Sequence, residues 1–395
     1  MTESIKGVER FDSPGKGRGL RVTKPFKVGE LLFSCPAYSY VLTVKERGCF
    51  CECCFTRKEG LAKCGKCKKA FYCNVKCQKA DWAMHKLECS AMTAFGENWC
   101  PSEMSRLVAR ILAKKKTQKE RCVSEKILLI GDVQSHVEDV DNEKREMTEV
   151  DVAGLHRFYS KHLEIPDHKD LLTLFSQVAC NGFTIEDDEL SHIGTAIYPD
   201  VALINHSCLP SVIVTYDGTS ADIRAVKDMK PGDEDKAKLK VRKQSDPFEP
   251  EVINNMVRYA RKTIREFRAH KNIKTPSELL EMCEQSLDHM GAVFDDSNIY
   301  MLHMMYQAMG ICLYMEDPEG AISYGEKIIK PYSKLYPPYS LNVSSMYLKL
   351  GRLYMGLEKH SAGISTLKKA MAIMEVAHGK NHLYLTELRK EIKKK

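Results

Sequence analysis

The stretch from Cys51 to Cys89 constrains this chain more than any other. It carries Cys51, Cys54, Cys64, Cys67, Cys73, Cys77, His85 and Cys89 in the pattern C-x2-C-x9-C-x2-C-x5-C-x3-C-x7-H-x3-C. Eight soft ligands fill two tetrahedral zinc sites. A C-x2-C pair can turn both thiolates back on one ion from a tight knuckle, and an i, i+4 pair puts two ligands on one helix face. Lys63, Lys66, Lys68, Lys69 and Lys76 surround the thiolates and partly offset their charge. An ordinary group of buried cysteines would not keep both this spacing and this count. Cys49 and Cys53 are extra thiols that leave the pattern intact. The spacing predicts a compact module built on two structural zinc ions.

Seven of the 16 cysteines sit in this pattern, which fits a reducing compartment better than a disulfide framework. The start, MTESIKGVER, is polar and lacks the apolar centre of a secretory leader, and no apolar run reaches the length of a membrane span. Cytoplasm, nucleus or both is therefore the expected location. A net charge of +7 is too mild to make polyanion binding the leading expectation. At 395 residues and 43% hydrophobic, the chain has room for several units with cores of their own.

Residues 1–45 read as short strands broken by glycine. In Ser13-Pro14-Gly15-Lys16-Gly17-Arg18-Gly19-Leu20, alternate glycines would let the backbone approach a ligand whose carboxylate Lys16 and Arg18 could hold. A plain hairpin turn with exposed charges fits the same spacing. The run lacks the strand-to-helix context of a dinucleotide fingerprint and the Lys-Ser/Thr of a P-loop. Residues 97–180 read as helical, from the spacing of Met104, Leu107, Val108, Ile111 and Leu112 and of Leu155, Phe158, Tyr159 and Leu163. Between these sets lies a charged, linker-like stretch around Glu138–Glu149. His136 at its edge reads, on its own, as a surface residue rather than a ligand.

Residues 180–234 return to strand and turn. There Asn205-His206-Ser207-Cys208-Leu209-Pro210 follows the apolar Ala202–Ile204 and collects side chains that seldom sit in a core without partners. A polar loop with one buried cysteine is the alternative. From residue 251 the chain reads as helical to the end. Tyr306-x2-Met309-Gly310-x2-Leu313 is echoed 41 residues later by Tyr347-x2-Leu350-Gly351-x2-Tyr354, with Pro331, Pro337 and Pro338 in the connection. Both fit the aromatic-x2-Leu-Gly-x2-Tyr core of a tetratricopeptide (TPR) helix. Two copies are too few for a free solenoid.

Together these pieces resemble the SET-and-MYND-domain protein-lysine methyltransferases, closest to the second member of that family, over nearly the whole chain. The resemblance implies an α+β multidomain fold. SET-type small curled β-sheets are interrupted by a two-zinc MYND module and followed by an all-α, TPR-like C-terminal lobe. On that basis residues 1–45 are the N-terminal part of SET, 46–95 the MYND-type zinc module and 96–180 a helical insertion within SET. Residues 181–234 are the SET core with its NHSC motif, 235–250 a charged linker and 251–395 the TPR-like domain. The implied cofactor is S-adenosylmethionine, contacted by Lys16, Gly17, Arg18, His136, Asn205 and His206. The implied reaction is methyl transfer to lysine side chains of histones and other proteins. As a binding module, the MYND-like unit could dock a proline-containing peptide and the helical lobe a partner such as a chaperone. A weak nucleic-acid contact, no membrane contact and a monomeric state complete the expectation.

The resemblance breaks in two places. Pro210 is followed by Ser211 where the family signature has Asn. Beyond Gly232-Asp233-Glu234, family members continue into a strand that carries the catalytic tyrosine. A post-SET segment then brings a second pocket aromatic and a C-x-C-x2-C cluster. Here Glu234 runs directly into Asp235-Lys236-Ala237-Lys238-Leu239-Lys240, and the only later cysteines are Cys283 and Cys312. Tyr198 and Tyr216 do not occupy the position of the missing tyrosine, so no catalytic residue is assigned. The third family zinc takes three post-SET thiolates plus the motif cysteine, here Cys208, and the zinc count is expected to fall from three to two. The expectation is a methyltransferase by descent whose own turnover is weak or absent. A zinc-dependent, non-catalytic adaptor that binds proteins or nucleic acid is the alternative.

Overall fold

A computed structural model describes residues 4–234 and 248–393. The expected linker at 235–250 lies outside the described residues as far as residue 247. The chain forms two compact units, the second containing the helices from Pro250 onward.

The first unit opens with a hairpin of β1 (Val8–Ser13) and β2 (Gly17–Val22), in register from Val8 opposite Val22 to Ser13 opposite Gly17. Gly17, at φ +71°, occupies the left-handed backbone region that this short turn requires. Next come β3 (Leu31–Pro36) and β4 (Ser39–Leu42), then the zinc-ligand stretch with β5 (Ala62–Lys63), β6 (Phe71–Tyr72) and α1 (Val75–Phe95). Three further helices follow: α2 (Glu103–Thr117), α3 (Asn142–Tyr159) and α4 (His168–Asn181). The chain then returns to β7 (Gly182–Glu186), β8 (His192–Ile197), β9 (Val212–Asp217) and β10 (Ser220–Ala225).

Sheet topology shows how the module is inserted. β3 pairs with β10 in the order β3-β10-β9, and β4 pairs with β8 in the order β4-β8-β7. Strands from before the ligand stretch are thus completed by strands from well after it, so the sheets close only once residues 43–181 have been looped out. Ala221, Ile223 and Ala225 alternate inward on β10, the period-two pattern of a strand with one buried face. Phe33, Cys35, Leu42, Ile193, Ala196 and Tyr198 share a core with two of them, Ala221 and Ile223. A separate core holds Leu107, Ile111, Leu155, Tyr159, Leu171 and Phe175 of α2–α4 with Leu87 and Met92 of α1.

Two sequence expectations change here. The charged stretch around Glu138–Glu149 is no linker: α3 starts at Asn142, with Asp141 accepting the Lys144 amide as N-cap. Capping and a helical continuation through Val152 and Leu155 outweigh the polar composition of the first turns. Conversely, residues 118–141 are not helical apart from single 3-10 turns at Ile130–Asp132 and Val137–Asp139. Buried carboxylates organise this loop. Asp200 accepts the amides of Lys126, Ile127 and Leu128, and Glu125 accepts those of Cys122 and Ile130. Bonds to one local carboxylate and one distant in sequence thus replace the helical ladder.

The second unit runs through α5 (Pro250–His270), α6 (Pro276–Gly291), α7 (Ile299–Tyr314), α8 (Pro318–Leu335), α9 (Leu341–Gly356), α10 (His360–Ala377) and α11 (Leu383–Lys393). Proline at the first helical position starts α5, α6 and α8, and Thr275 and Glu278 close a capping box on α6. The two TPR-like motifs fall on α7 and α9, each followed by a partner helix. Pro331 lies inside α8, not in a connection; close to the helix end it deletes one backbone bond without stopping the helix.

Candidate zinc centres and cofactor cradle

The eight expected ligands come together as two groups of four. Cys51, Cys54, Cys73 and Cys77 form one, and Cys64, Cys67, His85 and Cys89 form the other, with ligand atoms in each group within 4.8 Å of one another. The pairs therefore interleave, first with third and second with fourth, which spacing alone left open. A tetrahedron with zinc–sulfur bonds of about 2.3 Å has edges of about 3.8 Å. Sulfur separations are 3.7 Å for Cys54–Cys73, 4.0 Å for Cys54–Cys77 and 3.9 Å for Cys64–Cys89, and Cys67 Sγ lies 3.6 Å from His85 Nε2. The donor set fits the ion.

Local backbone explains why. Each C-x2-C pair closes the same turn: the Phe55 amide donates to the Cys51 carbonyl, and the Lys68 amide to that of Cys64. Both closing residues are left-handed, at φ +56° and +59°. His85 and Cys89 share a face of α1, as the i, i+4 spacing requires. Cys73 and Cys77 do not lie together on the helix: Asn74 caps α1 on the Cys77 amide, so Cys73 comes from the extended segment before it. Taken without a cation, burial and neighbouring thiolates push the Cys73, Cys77 and Cys89 thiols up to about 12. A central dication reverses that balance by holding the deprotonated form.

A buried charge network, invisible in the sequence, fastens this module to α2. Arg106, fully buried, donates to both Glu88 carboxylate oxygens at 2.8 and 3.2 Å and to the Leu42 carbonyl at 2.5 Å. Arg110 reaches Asp81 at 3.0 Å and Glu88 at 3.3 Å, and Arg47 pairs with Glu52 at 2.7 Å. The Tyr159 and Tyr72 hydroxyls donate to Glu88 and Asp81. Three guanidiniums face three carboxylates, two of which, Asp81 and Glu88, come from α1. The helical spacing on α2 marked only its apolar residues, although Arg106 and Arg110 sit four apart.

The expected cofactor residues come from three separate segments. Lys16, Gly17 and Arg18 lie at the tip of the β1–β2 hairpin, and Asn205 and His206 follow the 3-10 turn Val201–Leu203. His136, in a left-handed conformation at φ +48°, lies on the loop after Ile130–Asp132. The structure brings hairpin and loop together: Arg18 Nη2 donates to the Asp132 carbonyl at 2.6 Å, and Gln134 lies beside Gly17. It also brings hairpin and motif together. A Cβ placed on Gly19 would stand 2.6 Å from Asn205 Nδ2, so only glycine lets β2 lie this close to the amide. His136 bonds Gln134 at 3.1 Å through Nε2 and remains exposed. Tyr198, just after β8, is fully buried between Phe183 and Tyr216, with ring centroids at 5.5 and 6.1 Å, and its hydroxyl donates to the Thr219 carbonyl.

Residues 51–89 match the MYND finger family. The chain is 61% identical to N-lysine methyltransferase SMYD2 of Homo sapiens over 427 positions, covering 99% of each chain. It is 60% identical to N-lysine methyltransferase SMYD2-B of Danio rerio over 428 positions, again covering 99% of each. SMYD2 of Gallus gallus is 60% identical, covering 98% of this chain and 97% of the relative. An alignment of 427 positions cannot be filled by 395 residues, so at least 32 of its positions have no residue of this chain.

Proposed function

Because the chain belongs to the SET-and-MYND-domain family of protein-lysine methyltransferases, we propose that it holds S-adenosylmethionine in the hairpin–loop–Asn205 cradle, keeps two structural zinc ions and methylates lysine weakly or not at all. When bound, S-adenosylmethionine supplies a methyl group on a sulfonium. The hairpin glycines bring backbone close to the ligand, while Lys16 and Arg18 carry cationic groups toward its carboxylate. Asn205, placed against Gly19, offers amide hydrogen bonds. These residues account for binding. Turnover needs more, because a lysine amine with a solution pKa of about 10.4 must shed its proton and meet the methyl in line, away from water.

One observation carries the reading of weak turnover. Among the described residues, the segment beyond Met229 pairs with β2 through a Val22–Asp233 backbone bond, a Gly232–Val22 bond and a bridge of Glu234 to Arg21. At that point the sequence leaves the family pattern, and the shortfall of at least 32 aligned positions agrees with a lost strand and post-SET segment. The Tyr198 hydroxyl is committed to Thr219, which supports leaving it out of the amine-orienting role. With three post-SET thiolates gone, Cys208 cannot complete a four-ligand site. The substrate class on this reading is lysine-bearing histone and non-histone proteins, met in cytoplasm and nucleus.

An adaptor role is favoured by one feature of the finger. Trp82 on α1 is 45% exposed with its ring 6.0 Å from that of His85, an apolar platform suited to a proline-containing peptide. Titration calorimetry with S-adenosylmethionine, beside a methyl-transfer assay on a protein lysate, tests the proposal. Binding without transfer is expected. Measurable lysine methylation would overturn the impairment, and absence of binding would leave the finger and helical unit as the working parts.

A further inference from the structure

The loop that carries His136 has no backbone ladder to hold it, yet each of five successive carbonyls accepts a side-chain donor. Gln177 Nε2 bridges the Gly131 and Val133 carbonyls at 3.2 and 2.9 Å. Arg18 takes that of Asp132 at 2.6 Å, Asn181 Nδ2 that of Gln134 at 2.7 Å, and the Cys180 thiol that of Ser135 at 3.2 Å. Apart from Arg18, the donors are Gln177, Cys180 and Asn181, spaced i, i+3 and i+4 on one face of the last turn of α4. A segment held this way keeps one shape while its donors are in place: the Gln177–Val133 bond is buried, so losing it leaves a desolvated carbonyl, and the more exposed bonds to Asp132, Gln134 and Ser135 fix the backbone by number and direction.

We propose that Gln177 and Asn181 are positioning residues for the cofactor: they fix the 131–136 backbone, and through it His136, against the glycine hairpin. The proposal rests on the reading that His136 and the hairpin hold S-adenosylmethionine. Gln177 is the stronger of the two, since it is buried and spans two carbonyls with one amide. Arg18 closes the same loop from the hairpin side, so the loop is clamped between α4 and β2. This clamp sets the conformation of the cradle before any ligand arrives, which lowers the ordering cost of binding.

The test uses the full chain with Gln177→Met and Asn181→Leu, which keep side-chain size but remove the donors, each alone and with His136→Ala. Asn181 is only half-buried, so its variant serves if Gln177→Met fails to fold. Expected is a loss of S-adenosylmethionine affinity of about tenfold by calorimetry. That loss should vanish in the His136→Ala background, because positioning residues act through the group they position. An additive loss, or unchanged affinity, overturns the proposal. Amide hydrogen exchange over residues 131–139 is read in parallel. If the parent chain binds no S-adenosylmethionine, the reading of the site fails, and the clamp is then judged on exchange alone. Faster exchange confined to that segment sustains it, and unchanged exchange removes it.

Discussion

Replacing Glu88 with glutamine tests whether the buried charge network holds the finger on α2. The carboxylate accepts two bonds from Arg106, lies 3.3 Å from Arg110 and accepts the Tyr159 hydroxyl, with 1% of the residue exposed. Glutamine preserves shape and one acceptor, but turns an amide NH2 toward Arg106 Nη2 and Arg110 Nη2, donor against donor. It also leaves three buried guanidiniums facing two carboxylates. Breaking a buried ion pair from one side costs about 3–5 kcal/mol. For a unit of this size each kcal/mol moves the melting temperature by about 2–4 °C, so a drop of roughly 6–20 °C is expected. Burial alone would raise the Glu88 carboxyl, but Arg106 and Arg110 overcome it and hold the group well below the usual carboxylate range. The native advantage over Glu88→Gln is therefore complete above the unfolded value of about 4.3 and is lost only as pH falls toward the depressed folded value. Thermal melts from pH 8 to 5, with zinc content checked, should show a constant gap. The double variant with Arg106→Met should cost less than the sum of the singles. A gap under about 1 kcal/mol, or strict additivity, would refute the argument.

Three further outcomes are expected. Gly19→Ala places a Cβ 2.6 Å from Asn205 Nδ2 and 3.2 Å from Phe11; S-adenosylmethionine affinity should fall by at least about tenfold, and unchanged calorimetry would detach Asn205 from the cofactor. Chelation should unfold the finger, since a structural zinc contributes roughly 10 kcal/mol or more. The only two tryptophans report it directly, because Trp99 is buried against Arg47 and Arg106, and a red shift of emission with metal release is the expected signal. Ser13→Ala removes a 2.7 Å hydroxyl bond to Glu234, the last described residue before the break in family pattern. It should cost about 1–2 kcal/mol in denaturant melts, and no change would show that the segment after Met229 is not held at this point.

The zinc ligands were legible because their chemistry is local. Thiolates with two residues between them can meet one ion whatever the rest of the chain does, and seven thiolates and one imidazole at these spacings leave little freedom. The family resemblance was legible through short motifs, the glycine turn and Asn205-His206, because each is a contiguous run of residue types. Sequence patterns also placed α2, the strands around Gly194–Ile197 and the helical unit from Pro250, where periodicity is strong. They failed twice between residues 118 and 149: the part before Glu138 reads as helical and is a loop with single 3-10 turns, and around Glu138–Glu149 charged composition stood for a linker but capping at Asp141 started a helix.

What the sequence determined by itself was therefore the set of ligands, the metal chemistry and the likeness of the site to a cofactor cradle, since each depends on residue type and short spacing. Tertiary structure alone decided which pairs share an ion, because interleaving Cys51/Cys54 with Cys73/Cys77 depends on how β5, β6 and α1 cross in space. It decided that Arg106 and Arg110 are anchors of the finger and not surface charges on a helix, since burial is set by what packs against a residue. It decided, too, that Gln177 and Asn181 serve the loop bearing His136. Those partners lie some 40 residues apart, and no pattern along the chain records a hydrogen bond that exists only once α4 has docked beside the loop.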